Sequence, residues 1–449
     1  MKKISPIRFD ALAGYARHPA ASYIAEEMGW YEHGGERVLG LLIRDKDDND
    51  FSGLVFARDR KLRFRVVHMT GFDTRRRHAE VKLRREMERI AAEPDAEYHQ
   101  GDEAGRPVDF FTPVVSSGRL NPDFVRVRDT EEYSAARGII EPMMRWYEDA
   151  DGNFVEQFQT TGFDTRIWEL YLFATFSEMG YDIGRGHARP DFICTNPIAT
   201  FCVEATTVNA TRDRSGTIVP EPEMSTPENG YMAIKFGSAL TSKLAKKYWK
   251  LPHVAGKPLI FAVQDFSSPQ SMLRTRSAFE RYITGYTHDW ERDKNGELII
   301  HPRKIGTHRW GTKQIPSGFF ELPDTENISA VTFSNSGTIS KFNRMGLLAG
   351  FGSQRLRLVR IGKAIDHDPN ATEPIEFRHL VNHPDYDETW CEGLDIWHNP
   401  KAKYPIDPNL LPGAAHHYLL PDGQIQSSVP DWHPLASITF ASLDGVPPE

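Results

Sequence analysis

RIWELYLFATFSEMGYDIGRGHARPDFICTNPIATFCVEATTV, residues 166–208, is the stretch on which the reading of the whole chain turns. Its first part carries a helical stripe, Trp168, Leu172, Thr175, Phe176 and Met179, and Gly180 is a good stop for it. This predicts a helix from Asp164 to Met179. Short apolar runs follow at Tyr181 to Ile183, Asp191 to Thr195 and Thr200 to Val208, and each reads as a strand. Beyond a polar, Pro-rich loop, a helix is predicted from Tyr231 to Lys250 and a buried strand over PLIFAVQD, residues 258–265. Helix, strand, strand, strand, helix, strand describes an α/β layered unit.

Three carboxylates stand at marked places in that unit. Asp191 follows Pro190 at the mouth of a strand. Glu204 interrupts the apolar run FCVEATTV, where a charge is costly unless paired, hydrogen-bonded or bound to a cation. Carboxylates on two adjacent strands are what Mg²⁺ characteristically takes, with waters and substrate phosphate oxygens completing its shell. At roughly 100° per residue, Glu169 lies about 60° from Leu172, flanking the buried arc, so it is expected to reach the sheet edge as a third ligand or water-orienting group.

Pro190-Asp191, then Glu204-Ala205-Thr206, a helical Glu169 before them and a helix and strand after them resemble the PD-(D/E)xK nuclease superfamily, with its restriction-endonuclease-like αβββαβ core. The resemblance covers residues 164–265. It implies a nuclease in which Asp191 and Glu204 bind Mg²⁺, or Mn²⁺ in its place, and Glu169 assists; DNA is the expected substrate because the superfamily mostly cuts DNA. The motif lysine should stand at Thr206, which supplies no positive charge. Either the lysine has moved to another element or the site is inactive. In the helix YMAIKFGSALTSKLAKKYWK, residues 231–250, Lys243 lies about 60° and Lys247 about 20° from Leu240 at the centre of the apolar arc. Lys243 is the favoured replacement and Lys247 the second.

Elsewhere the chain reads as two flanking units. Residues 1–115 form an α+β module with strands at Arg37 to Ile43, Phe51 to Ala57 and Leu62 to Met69 and a basic helix at Thr74 to Ala92. Between Arg58 and Arg89, twelve Lys or Arg stand against five Asp or Glu, so Arg75, Arg76 and Arg77 are candidate phosphate contacts. The nuclease-like unit is assigned to residues 120–288, with helices at Glu131 to Glu148 and Ser271 to Tyr286, and a mostly β unit to residues 289–449. Arg185, His187 and Arg189, on the approach to Asp191, are further candidates for phosphate contact. His398, His416 and His417 resemble metal ligands by residue type alone.

At 39% apolar and 26% charged residues, the composition is that of a folded protein rather than a disordered one. No run approaches membrane-spanning length, and three cysteines form neither a disulfide framework nor a CxxC pair. A soluble, cytoplasmic enzyme without membrane partners is expected; host defence, repair and mobile-element processing all use nucleases. The rival readings are an inactive nuclease-like protein that binds nucleic acid or serves assembly, and a hydrolase of small phosphoesters with a deep closed pocket.

Overall fold

The computed structural model describes residues 1–93, 98–147, 149, 152–184, 186–213, 217–219 and 230–444. Near the N-terminus, strands β1 (Lys2–Lys3), β2 (Ala25–His33), β3 (Val38–Asp45), β4 (Phe51–Arg58) and β5 (Phe64–Met69) form an antiparallel sheet in sequence order. Helices α1 (Pro6–Ala13) and α2 (Ala21–Ile24) precede β2, and α3 (Arg76–Ala91) follows β5. The sheet is covered on both faces. Ala79, Leu83, Met87 and Ile90 of α3 pack on Val38, Leu42 and Val55. Phe9, Leu12 and Ala13 of α1 pack on Leu39, Leu41, Phe56 and Phe64.

Helices α4 (Pro122–Asp129), α5 (Ser134–Met144) and α6 (Phe154–Gln159) lead into α7 (Phe163–Glu178), followed by β6 (Asp182–Gly184), β7 (Phe192–Thr195), β8 (Thr200–Asn209), α8 (Tyr231–Leu244) and β9 (Leu259–Phe266). This is the predicted element order. Strands β6, β7 and β8 are antiparallel neighbours, and β9 runs parallel to β8. After α9 (Arg276–Thr284) come two hairpins, β10 (Tyr286–Arg292) with β11 (Leu298–Lys304), and β12 (Thr307–Trp310) with β13 (Lys313–Pro316). The remaining elements are β14 (Ala330–Ser334), α10 (Ile339–Leu348), β15 (Leu356–Ala364), β16 (Ile375–Leu380), β17 (Leu394–His398), β18 (Ala415–Leu419), β19 (Ile425–Ser428) and β20 (Pro434–Leu443).

The expected boundary at residue 289 is not how the main sheet is built. Its eight strands run β19-β18-β17-β14-β9-β8-β7-β6, so four strands from beyond residue 289 complete the sheet that begins with β6. The reason lies in β9, every residue of which except Phe266 is buried. A strand covered on both faces must also pair both edges, because no water reaches its amides. β8 takes one edge, and β14, parallel to it, takes the other. Strands β16, β15 and β20 form a separate three-stranded antiparallel sheet.

Two helices also depart from expectation. The stripe predicted for α7 is instead burial on every side, unbroken from Arg166 to Phe176, because α7 is packed between the main sheet and the helical layer that includes Phe158, Ile139 and Met143. α8 ends at Leu244, six residues short of the predicted Lys250, and Lys247 takes a left-handed conformation. Among the described residues no helix is long and apolar enough to cross a membrane.

Helix α10 joins the main sheet to α5 at one close point. A Cβ on Gly346 would lie 2.1 Å from the carbonyl oxygen of Ala135, and backbone does not yield as a flexible side chain does. Gly346→Ala is therefore expected to cost about 1–3 kcal/mol through overpacking, read as a lowered midpoint of urea unfolding. Gly118→Ala, where a Cβ meets nothing within 4 Å, should shift the midpoint little.

Candidate functional site

Side chains alternate along β8. Val203 and Ala205 belong to the core beneath α7, whereas Cys202 and Val208 belong to the one beneath α8, which places Glu204 and Thr206 on the α8 face. The same alternation on β7 sends Phe192 to the α7 side and Ile193 to the α8 side, so Asp191 shares a face with Glu204. The ladder pairs Phe192 with Val203, and one further step sets Asp191 opposite Glu204. Asp191 Oδ2 accepts a hydrogen bond of 2.7 Å from the amide of Ala205, which holds the carboxylate against the peptide that follows Glu204.

Glu204 is 4% exposed. Its Oε1 accepts from the ammonium of Lys243 and, at 2.7 Å, from the hydroxyl of Tyr248. Its Oε2 is buried and accepts from nothing among the described residues. Burial, and then the charge of Glu204, push the Tyr248 phenol above its ordinary pKa, so it remains a donor. Lys243 reaches Glu204 from the last turn of α8 with its side chain 27% exposed, the geometry of a snorkelling lysine whose stem follows a buried arc. Lys247 is turned away by its left-handed backbone and pairs with Asp324 at 2.8 Å.

Glu169 does not project freely from the flank of its helix. It is 3% exposed, both of its oxygens accept from Arg166 Nη1, at 2.8 and 2.9 Å, and Oε2 also accepts from Tyr147 at 2.8 Å. Arg166 donates onward to Asn153 and Gln157. Burial opposes the charge on Arg166, but Glu169, then Tyr147 and last Asp191 outweigh it and hold its pKa above the ordinary value. Glu169 is thus a clamped carboxylate on the α7 side, linked to Asp191 through the field of the Arg166 guanidinium. Arg166, Tyr147 and Tyr248 were missed in the sequence; the only signal was Arg166 one turn before Glu169.

Of the approach residues, Arg185 lies outside the described residues. His187 and Arg189 are exposed. His187 stacks on His253 with ring centroids 3.8 Å apart, and His253 Nε2 donates to the Arg189 carbonyl at 2.7 Å. Arg75, Arg76 and Arg77 are exposed at the start of α3. Arg76 is engaged by Glu80 and by the Met28 carbonyl, while Arg75 and Arg77 form no ion pair among the described residues. The basic segment is also less bare than its charge count suggests, since Arg63 pairs with Asp59, Arg65 with Asp102 and Lys82 with Asp73.

His398 and His416 hydrogen-bond each other at 2.9 Å, and His417 bonds Asp395 at 3.1 Å. Burial, with His416 and His417 nearby, pushes His398 down to about 4. Among the described residues no group of three or more His, Cys, Asp or Glu side chains is arranged to hold a metal ion. Mg²⁺ asks for only one or two protein carboxylates, and the buried, unpartnered Oε2 of Glu204 is the atom that such an ion would satisfy. Cavities of about 710, 720 and 180 Å³ lie elsewhere, lined by none of Asp191, Glu204 and Lys243. Comparison with protein-family models, curated proteins and solved structures found no match to this chain.

Removing Arg166 alone would strand a buried carboxylate. Arg166→Met is expected to destabilise the protein by about 3–5 kcal/mol in urea, and Arg166→Met with Glu169→Leu to recover most of that loss. Asp164, at the start of α7, has its pKa pushed up to about 6 by burial and by Asp123. Its folded value thus exceeds the 3.8 of the free side chain, so the stability it contributes is complete below 3.8 and is lost as pH rises through 6. Asp164→Asn should gain stability relative to the unaltered protein between pH 4 and pH 7, and urea midpoints measured across that range would read the difference.

Proposed function

We propose that this chain is a metal-dependent nuclease that hydrolyses phosphodiester bonds of nucleic acid, with DNA the favoured substrate. One observation carries the proposal: a buried Glu204 oxygen without a partner, on the same sheet face as Asp191 and beside the ammonium of Lys243. The order α7-β6-β7-β8-α8-β9, antiparallel through β8 and then parallel, supports it as the arrangement of the superfamily that the sequence resembles.

In this reading Asp191 and Glu204 hold Mg²⁺ or Mn²⁺, which supplies Lewis acidity to the scissile phosphate and an activated water. The Ala205 amide fixes the orientation of Asp191, and the Tyr248 hydroxyl that of Glu204. Lys243, from α8, stands in for the positive charge that Thr206 lacks and stabilises charge developing on the phosphate oxygens. Glu169, clamped by Arg166 and Tyr147, is a positioning residue that holds the Arg166 guanidinium where it also feels the charge of Asp191.

Asp191→Asn and Glu204→Gln are each expected to abolish Mg²⁺-dependent cleavage of plasmid and oligonucleotide substrates while leaving the unfolding transition cooperative. Lys243→Met, which keeps the stem and removes the charge, should cost roughly 10² or more in rate with nucleic-acid affinity nearly unchanged. An unaltered protein that cuts no nucleic acid with Mg²⁺ or Mn²⁺ would leave the non-catalytic binding reading in its place. For the basic helix, replacing Arg75 and Arg77 with alanine should flatten the salt dependence of DNA binding by up to about two units of slope, measured by titration at several salt concentrations.

A further inference from the structure

A cavity of about 710 Å³ opens between β16, the segment from His383 to Glu392 that precedes β17, and the turn at Pro430 to Trp432 before β20. Four of its wall residues are aromatic rings, His379, His383, Tyr386 and Trp432. His379 and Trp432 lie 5.3 Å apart between centroids, and Phe377 supports both at 5.0 Å. The volume falls within the ordinary range for a small-ligand site and is ample for a mononucleotide.

The floor of the cavity includes two carboxylates that cap a buried charge network. Glu388 is fully buried and accepts from Lys341, Arg344 and Tyr386, and those bonds occupy both of its oxygens. Glu392 differs. Its side chain is 7% exposed and its Oε1 accepts from Arg360, but Oε2 accepts from nothing among the described residues. A carboxylate more than nine-tenths buried, with one oxygen open to a cavity, offers an acceptor that a ligand's hydrogen-bond donor can take in place of solvent.

Charge decides what kind of donor. Lys341, Arg344 and Arg360 meet Glu388 and Glu392, and Glu178 also lies in the field of Lys341, so the network beneath the cavity carries one surplus positive charge, or none with Glu178 ionised. Either way no negative charge remains for an organic cation. Asp385, 91% exposed, and Asp387, also exposed, line the cavity and are screened by solvent, and the exposed Arg378 lines it with them. Rings for stacking and a single acceptor at the floor suit a neutral, planar heterocycle with an N–H edge. We propose that this cavity is a second, non-catalytic site that binds an amino-bearing nucleobase (cytosine, adenine or guanine), stacked against His379 and Trp432 with its amino group donating to Glu392 Oε2.

The site stands apart from Asp191 and Glu204 and can be tested without metal and without cleavage, so its failure would leave the nuclease reading untouched. Calorimetric titration of the full chain, free of divalent cations, with CMP, AMP, GMP, UMP and choline is the direct experiment. At least one amino-bearing nucleotide is expected to bind at one site per chain, at least tenfold more tightly than UMP. Trp432→Ala should weaken that binding at least tenfold with an unchanged unfolding midpoint, and Glu392→Gln should abolish the preference over UMP, because its amide can donate to the uracil carbonyl. Should Glu392→Gln fail to fold for want of a partner for Arg360, Trp432→Ala carries the test alone. Absence of heat with every nucleotide at millimolar concentration, tighter binding of choline than of any nucleotide, or unaltered binding in Trp432→Ala would each overturn the proposal.

Discussion

The parallel pairing of β9 with β8 on one edge and β14 on the other is the constraint on which the rest of the molecule depends. With both faces of β9 covered, its amides and carbonyls have only neighbouring strands as partners. That requirement draws in the segment after residue 289, and with β14 come β17, β18 and β19. It also fixes the layers. α7 and the helices behind it close one face, α8 and α9 close the other, and the alternation along β8 then dictates which side chains meet which layer.

The candidate site follows from that alternation. Glu204 is carried to the α8 face because Val203 and Ala205 are needed on the α7 face. A buried carboxylate there has to be compensated, and two donors, the Lys243 ammonium and the Tyr248 hydroxyl, compensate Oε1, while Oε2 is left for something further. On the opposite face both oxygens of Glu169 accept hydrogen bonds from Arg166, and one also from Tyr147. Two buried glutamates on either side of one sheet thus have different tasks, and the number of unsatisfied oxygens separates them.

Much of this was legible in the sequence. A single charge within FCVEATTV marks Glu204 because a carboxylate in an apolar strand requires a partner, and Lys243 follows from helical angles that stay valid as far as Leu244. Where those angles were carried further they failed, since Lys247 leaves the helix for a left-handed conformation that no periodicity announces. Glu169 was misjudged for a related reason: a stripe locates one buried face, but Ile167, Leu170 and Phe173 show that α7 has no exposed one. The split at residue 289 arose because short β runs separated by Gly and Pro look alike whether they build a new sheet or extend an old one. Ion pairs such as Arg65 with Asp102 join residues 37 apart, and local charge counting overlooks them.

The distances along the chain between interacting parts bear on how the protein is made. Arg8 of α1 donates to the carbonyl of Ala349, 341 residues later, and α5 receives α10 at Gly346. Strand β14 cannot meet β9 until more than sixty residues beyond it have been synthesised, and Asp395 waits on His433. Such non-local closure makes folding slow and places it late. While the chain emerges from the ribosome, the apolar β9 has one edge open to any strand that comes along. The exposed interval is therefore the time needed to translate β14, and chaperone capture or aggregation during synthesis would act at that edge.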